Sequence, residues 1–204
     1  DWDGTLMDST ATIVASMQAA ARDLGLPVPD VRAASYVIGL GLQDAMQRAM
    51  PDLDPKAYPR MVERYRHHYL SQDHSLTLFD GVRDMLADLA AQGYFLAVAT
   101  GKSRVGLNRA LNTAGLMSVF DSTRCADETF SKPHPAMLEA ALFEAGALPG
   151  DAVMIGDTAY DMMMAVNGRV RALGVDWGYH TPAELLEAGA ESVAQTPLHL
   201  LELL

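Results

Sequence analysis

From Gly81 onward the chain alternates amphipathic helical patterns with short apolar runs, and few architectures accept that rhythm. Val82, Met85, Leu86 and Leu89 fall at i, i+3, i+4 and i+7, so residues 82–92 carry one apolar helical face, closed by Gly93. The next run, 94–99 (YFLAVA), is nearly unbroken, the pattern of a strand buried on both faces. Leu107, Ala110, Leu111 and Ala114 mark a second helix stopped by Gly115. Leu138, Ala141, Leu142 and Ala145 mark a third, stopped by Gly146. Short buried strands are also predicted at 152–155 (AVMI) and 170–175. Strands separated by helices of this length run parallel in a sheet covered on both faces, an α/β fold in three layers.

Residues 10–75 break the rhythm. Ile13, Val14, Met17, Ala20, Ala21 and Leu24 share one helical face. After Pro27 and Pro29 comes a second helical region, and Tyr58, Met61, Val62, Tyr65 and Tyr69 mark a third. No buried-strand pattern interrupts them. The expected organisation is a core domain of residues 1–9 and 76–204, with a small helical domain, 10–75, inserted after the first core segment.

Charge and cysteine content narrow the function classes. A formal net charge of −11 argues against nucleic acid and anionic membranes as partners. An anionic substrate then needs local positive charge, and there are only three lysines, Lys56, Lys102 and Lys132. The single cysteine, Cys125, excludes an internal disulfide and suits a reducing, cytoplasmic setting. No apolar run reaches membrane-spanning length and no signal-peptide pattern is visible. The chain is expected as a monomer or homodimer.

Polar residues gather where the strands end. DWDGTLMDS opens the sequence, Thr100, Gly101 and Lys102 follow the 94–99 run, Lys132 precedes a helix in FSKPHP, and Gly156, Asp157 and Asp161 follow 152–155. In an open α/β sheet, the loops at the carboxyl ends of strands converge on one crevice. Asp1, Asp3, Thr100, Lys132, Asp157 and Asp161 can therefore meet. Each alone has a plainer explanation: Asp-Gly-Thr as a turn, Thr100-Gly101 as a helix cap, and Asp157 and Asp161 as acids complementing a helix dipole. Lys132 alone reads as a solvated charge. Two of three lysines in strand-end loops beside acids and small hydroxyl residues is a different matter.

The order DxDGTxxDS, strand-Thr-Gly, Lys-Pro, GDxxxD resembles the haloacid dehalogenase-like hydrolase superfamily, in its phosphoglycolate phosphatase-like branch with a small helical cap. The resemblance spans essentially the whole chain and implies a Rossmann-like core. It implies Mg²⁺ held by Asp1, Asp157 and the Asp3 main-chain carbonyl, with Asp161 assisting directly, through water or by orienting Lys132. It implies Asp1 as nucleophile, forming an aspartyl-phosphate, and Asp3 as the acid and base. Thr100, Gly101 and Lys132 would hold the phosphoryl oxygens, with Gly4 admitting phosphate to the backbone. The substrate would be a small phosphorylated metabolite, phosphoglycolate-like or a sugar phosphate. The cap loop IGLGLQDAM offers Gly39, Leu40 and Gln43 as specificity residues, or equally a flexible helix–helix turn.

Neighbouring activities differ in single features. Dehalogenases of the family lack the second Asp of DxD and need no metal. Phosphonate hydrolases use a cap lysine, for which only Lys56, after Pro55, is on offer. A phosphomutase of the β-phosphoglucomutase type shares every core motif. A non-enzymatic phospho-accepting module, like a response-regulator receiver, carries its acceptor after a middle strand and lacks an inserted cap. Asp8 and Ser9 are expected to cap the first inserted helix. Trp2 and the twelve methionines read as packing, and His67 and His68 as ordinary helix-surface residues. Relatives place a buried strand before the first Asp, so a longer protein is expected.

Overall fold

The computed structural model describes residues 1–204. The regular structure within residues 10–75 is all helical: α1 (Thr10–Asp23), α2 (Val31–Tyr36), α3 (Leu42–Ala49) and α4 (Tyr58–Gln72), with short 3₁₀ turns at Pro55–Ala57 and Asp73–Ser75. Val14, Met17, Ala20 and Ala21 of α1 bury against Met46 of α3 and Met61 of α4, giving this helical module its own core. The chain enters and leaves the module side by side. Asp8 N donates to Thr77 O (3.0 Å) and Phe79 N to Leu6 O (3.0 Å), around an antiparallel bridge between Met7 and Leu78.

The remainder is α/β, as the rhythm demanded. Helix α5 (Val82–Ala91) leads into β1 (Ala97–Thr100), which pairs in parallel with β2 (Ser122–Cys125) across α6 (Arg104–Ala114). Helix α7 (Ala136–Ala145) leads to β3 (Val153–Gly156), which pairs with β4 (Arg171–Val175) across α8 (Ala159–Gly168). Helix α9 (Pro182–Glu187) carries the chain to β5 (Ser192–Ala194), parallel to β4, and α10 (Pro197–Leu203) follows. All strands are parallel, but they fall into two groups, β1-β2 and β3-β4-β5. The Asp1 main-chain nitrogen donates to Ile155 O (2.8 Å), laying the opening segment along the outer edge of β3.

Alternation along the strands builds the layers. Val98 faces a core with Trp2, Leu86 and Leu107, while its neighbour Ala99 faces a second core with Met137, Met154 and Met162. Leu173 and Ala172 divide the same way. Trp2 is wholly buried, edge-on to Phe120 at 6.5 Å, and ten of the twelve methionines are buried. No helix is long and apolar enough to cross a membrane.

Three expectations need correction. The 94–99 run becomes regular strand only at 97, with Tyr94 and Phe95 exposed. Gly93, at φ 83°, turns the chain left-handed, and Tyr94 N closes back onto Leu89 O (3.2 Å), so the run's first residues serve the helix end. In α7 the fully buried residue is Met137, outside the expected face; Leu138 and Leu142 are only partly buried. Strands β2 and β5 were not anticipated, because Ser-Thr-Arg-Cys and Ser-Val-Ala offer no apolar run. Lys56 is exposed on the 3₁₀ turn, and His68 pairs with Asp23 (2.8 Å) between α4 and α1.

Candidate active site

Three acids from opposite ends of the chain converge. Asp1, Asp157 and Asp161 each offer a carboxylate oxygen, all within 4.8 Å of one another. Asp1 lies beside β3, Asp157 directly follows it, and Asp161 sits in the first turn of α8. Lys132, at the approach to α7, joins them: its Nζ donates to Asp1 Oδ1 (2.7 Å) and Asp161 Oδ1 (2.6 Å), and no part of its side chain reaches solvent. A lysine is buried this completely only when its charge is paired.

Asp161 performs both tasks that its sequence position allowed. Oδ1 accepts from Lys132, while Oδ2 accepts from Thr158 N (3.1 Å) and Thr158 Oγ1 (2.6 Å), a capping box that starts α8. Burial alone pushes its carboxyl up; Lys132 and these hydrogen bonds outweigh that and hold it below the usual carboxylate range. Asp157 goes the other way. Burial first, then the Asp161 charge, push it up to about 7, against hydrogen bonds from Tyr179 N (3.0 Å, to Oδ2) and Thr5 Oγ1 (2.9 Å, to Oδ1). Gly4, at φ +82°, and Gly178 both pack so closely on this carboxylate that a Cβ at either would overlap it.

Asp1 Oδ2 is buried without a hydrogen-bond partner. Three carboxyl groups face one ammonium, an excess of negative charge that Asp157 relieves by holding its proton when no cation is near. An orphaned carboxylate oxygen, more acids than one ammonium can balance and an all-oxygen donor set fit a hard divalent cation such as Mg²⁺.

Asp3 lies apart from this cluster. Its Oδ1 accepts from Ser9 Oγ (2.6 Å) and lies 3.0 Å from Lys102 Nζ. Ser9 was expected to cap α1 and does not: its side chain makes no cap bond, and Asp8 is exposed. A buried carboxylate loses more without a donor than a helix end that water can reach. Burial pulls the Lys102 ammonium down, but Asp3 and the hydroxyls of Tyr69 and Tyr65 outweigh it and raise it above the usual lysine value. Thr100 is fully buried and its Oγ1 accepts from Lys102 N (3.2 Å), so it shapes the loop; Ser103 caps α6 instead.

The loop between α2 and α3 closes over these residues. Gly39 sits against Thr158, where a Cβ would lie 3.0 Å from Oγ1, and the Leu40 carbonyl packs directly on Gly101. Gly41 N donates to Ser131 Oγ (2.8 Å). Gln43 is exposed and makes no hydrogen bond to the strand-end loops, and the Leu40 side chain turns into the module's own core. Sequence reasoning did not single out Thr5, Ser131, Thr158, Gly178 or Tyr179. Of these only Thr158 carried a signal, the Thr-x-x-Asp spacing of its capping box with Asp161.

The fold and the site define a hydrolase-type centre built for anionic phosphoryl groups, with acids, one buried lysine and room for a divalent cation on the carboxyl ends of parallel strands. The chain belongs to the haloacid dehalogenase-like hydrolase family, whose model matches residues 1–175. It is 39% identical over 202 residues to the probable phosphatase IndB of Dickeya dadantii (strain 3937), covering 96% of this chain and 87% of that protein. It is 34% identical over 181 residues to the tyrosine-protein kinase PtkA of Mycobacterium tuberculosis (strain ATCC 25618 / H37Rv), covering 88% of this chain but 61% of that protein. A phosphoglycolate phosphatase of Synechococcus elongatus is 29% identical over 99% of this chain and 93% of its own length. The crystal structure of a hydrolase from Pseudomonas syringae shares the fold, with a TM-score of 0.91 at 24% identity over 99% of this chain and 94% of that one.

Proposed function

We propose that this chain is a Mg²⁺-dependent phosphatase that hydrolyses a small phosphorylated metabolite, phosphoglycolate or a sugar phosphate, through an aspartyl-phosphate. The carrying observation is the Asp1 carboxylate, with one oxygen on Lys132 and the other buried and unpartnered beside Asp157 and Asp161. Asp1 attacks phosphorus and the ester P–O bond breaks. Asp3 delivers a proton to the departing alkoxide, then takes one from the water that cleaves the aspartyl-phosphate, so that an alcohol and inorganic phosphate leave. Lys132 neutralises phosphoryl oxygens, and Thr100 and Gly101 orient them. Asp1, Asp157, the Asp3 carbonyl and Asp161 would hold Mg²⁺, which when bound would supply the charge neutralisation that a carboxylate needs to approach a phosphate dianion. Residues 1–9 and 76–204 serve as the catalytic core and 10–75 as the cap, with the 38–41 loop nearest the substrate.

The test is phosphate release from a panel of alkyl phosphates (2-phosphoglycolate, hexose phosphates, nucleoside monophosphates) and p-nitrophenyl phosphate, with Mg²⁺ and with chelator. Multiple turnover that needs Mg²⁺ and disappears in Asp1→Asn is the expected result. A single stoichiometric phosphorylation would mark a phospho-accepting module instead, and full activity of Asp1→Asn would reject the nucleophile.

A further inference from the structure

Lys102 takes no part in the steps above, yet its surroundings are specific. Its Nζ lies 3.0 Å from Asp3 Oδ1, donates to Tyr69 Oη at 2.9 Å, and stands 4.7 Å from the centroid of the Tyr69 ring. The Lys102 and Asp3 side chains are 11% and 10% exposed, so this is a largely dehydrated ion pair. Tyr69 comes from the last turn of α4, in the helical module, and Tyr65 stacks on it at 5.9 Å. One ammonium thus joins an acid of the core to a tyrosine of the module.

The division of the Asp3 oxygens follows. Oδ1 is engaged by Ser9 and Lys102, while Oδ2 makes no hydrogen bond within the protein. A carboxylate held through one oxygen presents the other in a fixed direction. Lysine alone holds poorly, because its four-carbon stem is flexible; a second anchor at the ammonium and a ring beneath it remove that freedom. With the module lifted away, Lys102 would lose Tyr69 and gain water, and its hold on Asp3 would weaken as the local dielectric rises.

We infer that Lys102 and Tyr69 are positioning residues for Asp3: they aim its free oxygen at the leaving group only while the helical module is seated on the core. This rests on Asp3 acting as the proton donor. An alkoxide needs that proton to depart, whereas p-nitrophenolate leaves without it, so the two ester classes separate positioning from mere stability.

The experiment compares kcat/KM for the best alkyl ester of the panel with kcat/KM for p-nitrophenyl phosphate, in wild type, Lys102→Met, Lys102→Arg and Tyr69→Phe. Lys102→Met is expected to lower the alkyl value by roughly 10²–10³-fold, within the range general acid catalysis supplies, and the aryl value by less than about 10-fold. Tyr69→Phe keeps the ring and removes one oxygen, so it should fold normally and lower the alkyl-to-aryl ratio in the same direction, by less. Lys102→Arg should recover part of the ratio. An unaltered ratio in Lys102→Met and Tyr69→Phe, with wild type active, overturns the inference alone. A wild type that releases phosphate from neither ester overturns the function, and this inference with it.

Discussion

Asp157→Asn should make the metal-free protein more stable at pH 8, even though it removes a residue of the site. The Asp157 carboxyl, buried beside Asp161, is raised from 3.8 to about 7. The folded protein therefore holds a proton that the unfolded chain has released, and stability falls as pH rises through that window. About three units correspond to a loss on the order of 4 kcal/mol, absent below pH 4 and complete above pH 7. Asparagine carries no charge at any of these pH values, so that slope vanishes. It can accept only one of the hydrogen bonds from Thr5 and Tyr179, which costs about 1 kcal/mol. The expected net gain is about 3 kcal/mol at pH 8, turning into a loss of about 1 kcal/mol at pH 4. Urea unfolding of both proteins in chelator from pH 4 to 8 measures it. Adding Mg²⁺ at pH 8 should then stabilise wild type far more than the variant, since binding to the folded state alone shifts the equilibrium. An asparagine variant no more stable than wild type in chelator at pH 8 would refute the reasoning.

Further outcomes follow from single contacts. Lys132→Met leaves the buried Asp1 and Asp161 carboxylates without their cation, and urea unfolding should show a loss of about 3–5 kcal/mol in addition to lost turnover. Gly101→Ala drives a Cβ into the Leu40 carbonyl; overpacking of this kind costs about 1–3 kcal/mol, and should appear as a melting temperature lowered by about 2–12 °C together with a raised KM. The Cys125 thiol is fully buried, and burial pushes it up to about 12. It should resist thiol reagents at pH 8 until the protein is unfolded, which a labelling time course with and without urea will show.

The fold was legible where residues repeat at a helical or strand period. Gly93, Gly115 and Gly146 stop α5, α6 and α7, and β3 and β4 stand within a residue of their apolar runs. It was illegible where burial is supplied by partners. Ser122–Cys125 becomes a strand because β1 offers it a ladder, and Thr123 and Arg124 are then satisfied by polar neighbours such as Arg104. The last two helices had a local signal, Thr181 and Thr196 as N-caps each followed by Pro, that periodicity alone passes over. At the site, Asp1, Asp157, Asp161 and Lys132 were legible because strand-end loops must converge. The Ser9–Asp3–Lys102–Tyr69 chain was not, because no spacing rule relates a helix tyrosine to a lysine 33 residues later. That contact exists only once the module is folded against the core.

The entrance and exit of the helical module lie one hydrogen bond apart, at Asp8 and Thr77, on paired backbone that belongs to the core. A tight turn of a few residues could bridge that gap without disturbing the register of Met7 against Leu78. Sixty-odd residues are thus hung on a junction that any other insert, or none, would satisfy equally well. Such a junction lets the insert change while the acid cluster on the core stays unaltered. It also confines the obligation between the two parts to a handful of contacts, among them Tyr69 on Lys102 and Gly41 on Ser131, which any replacement would have to reinvent.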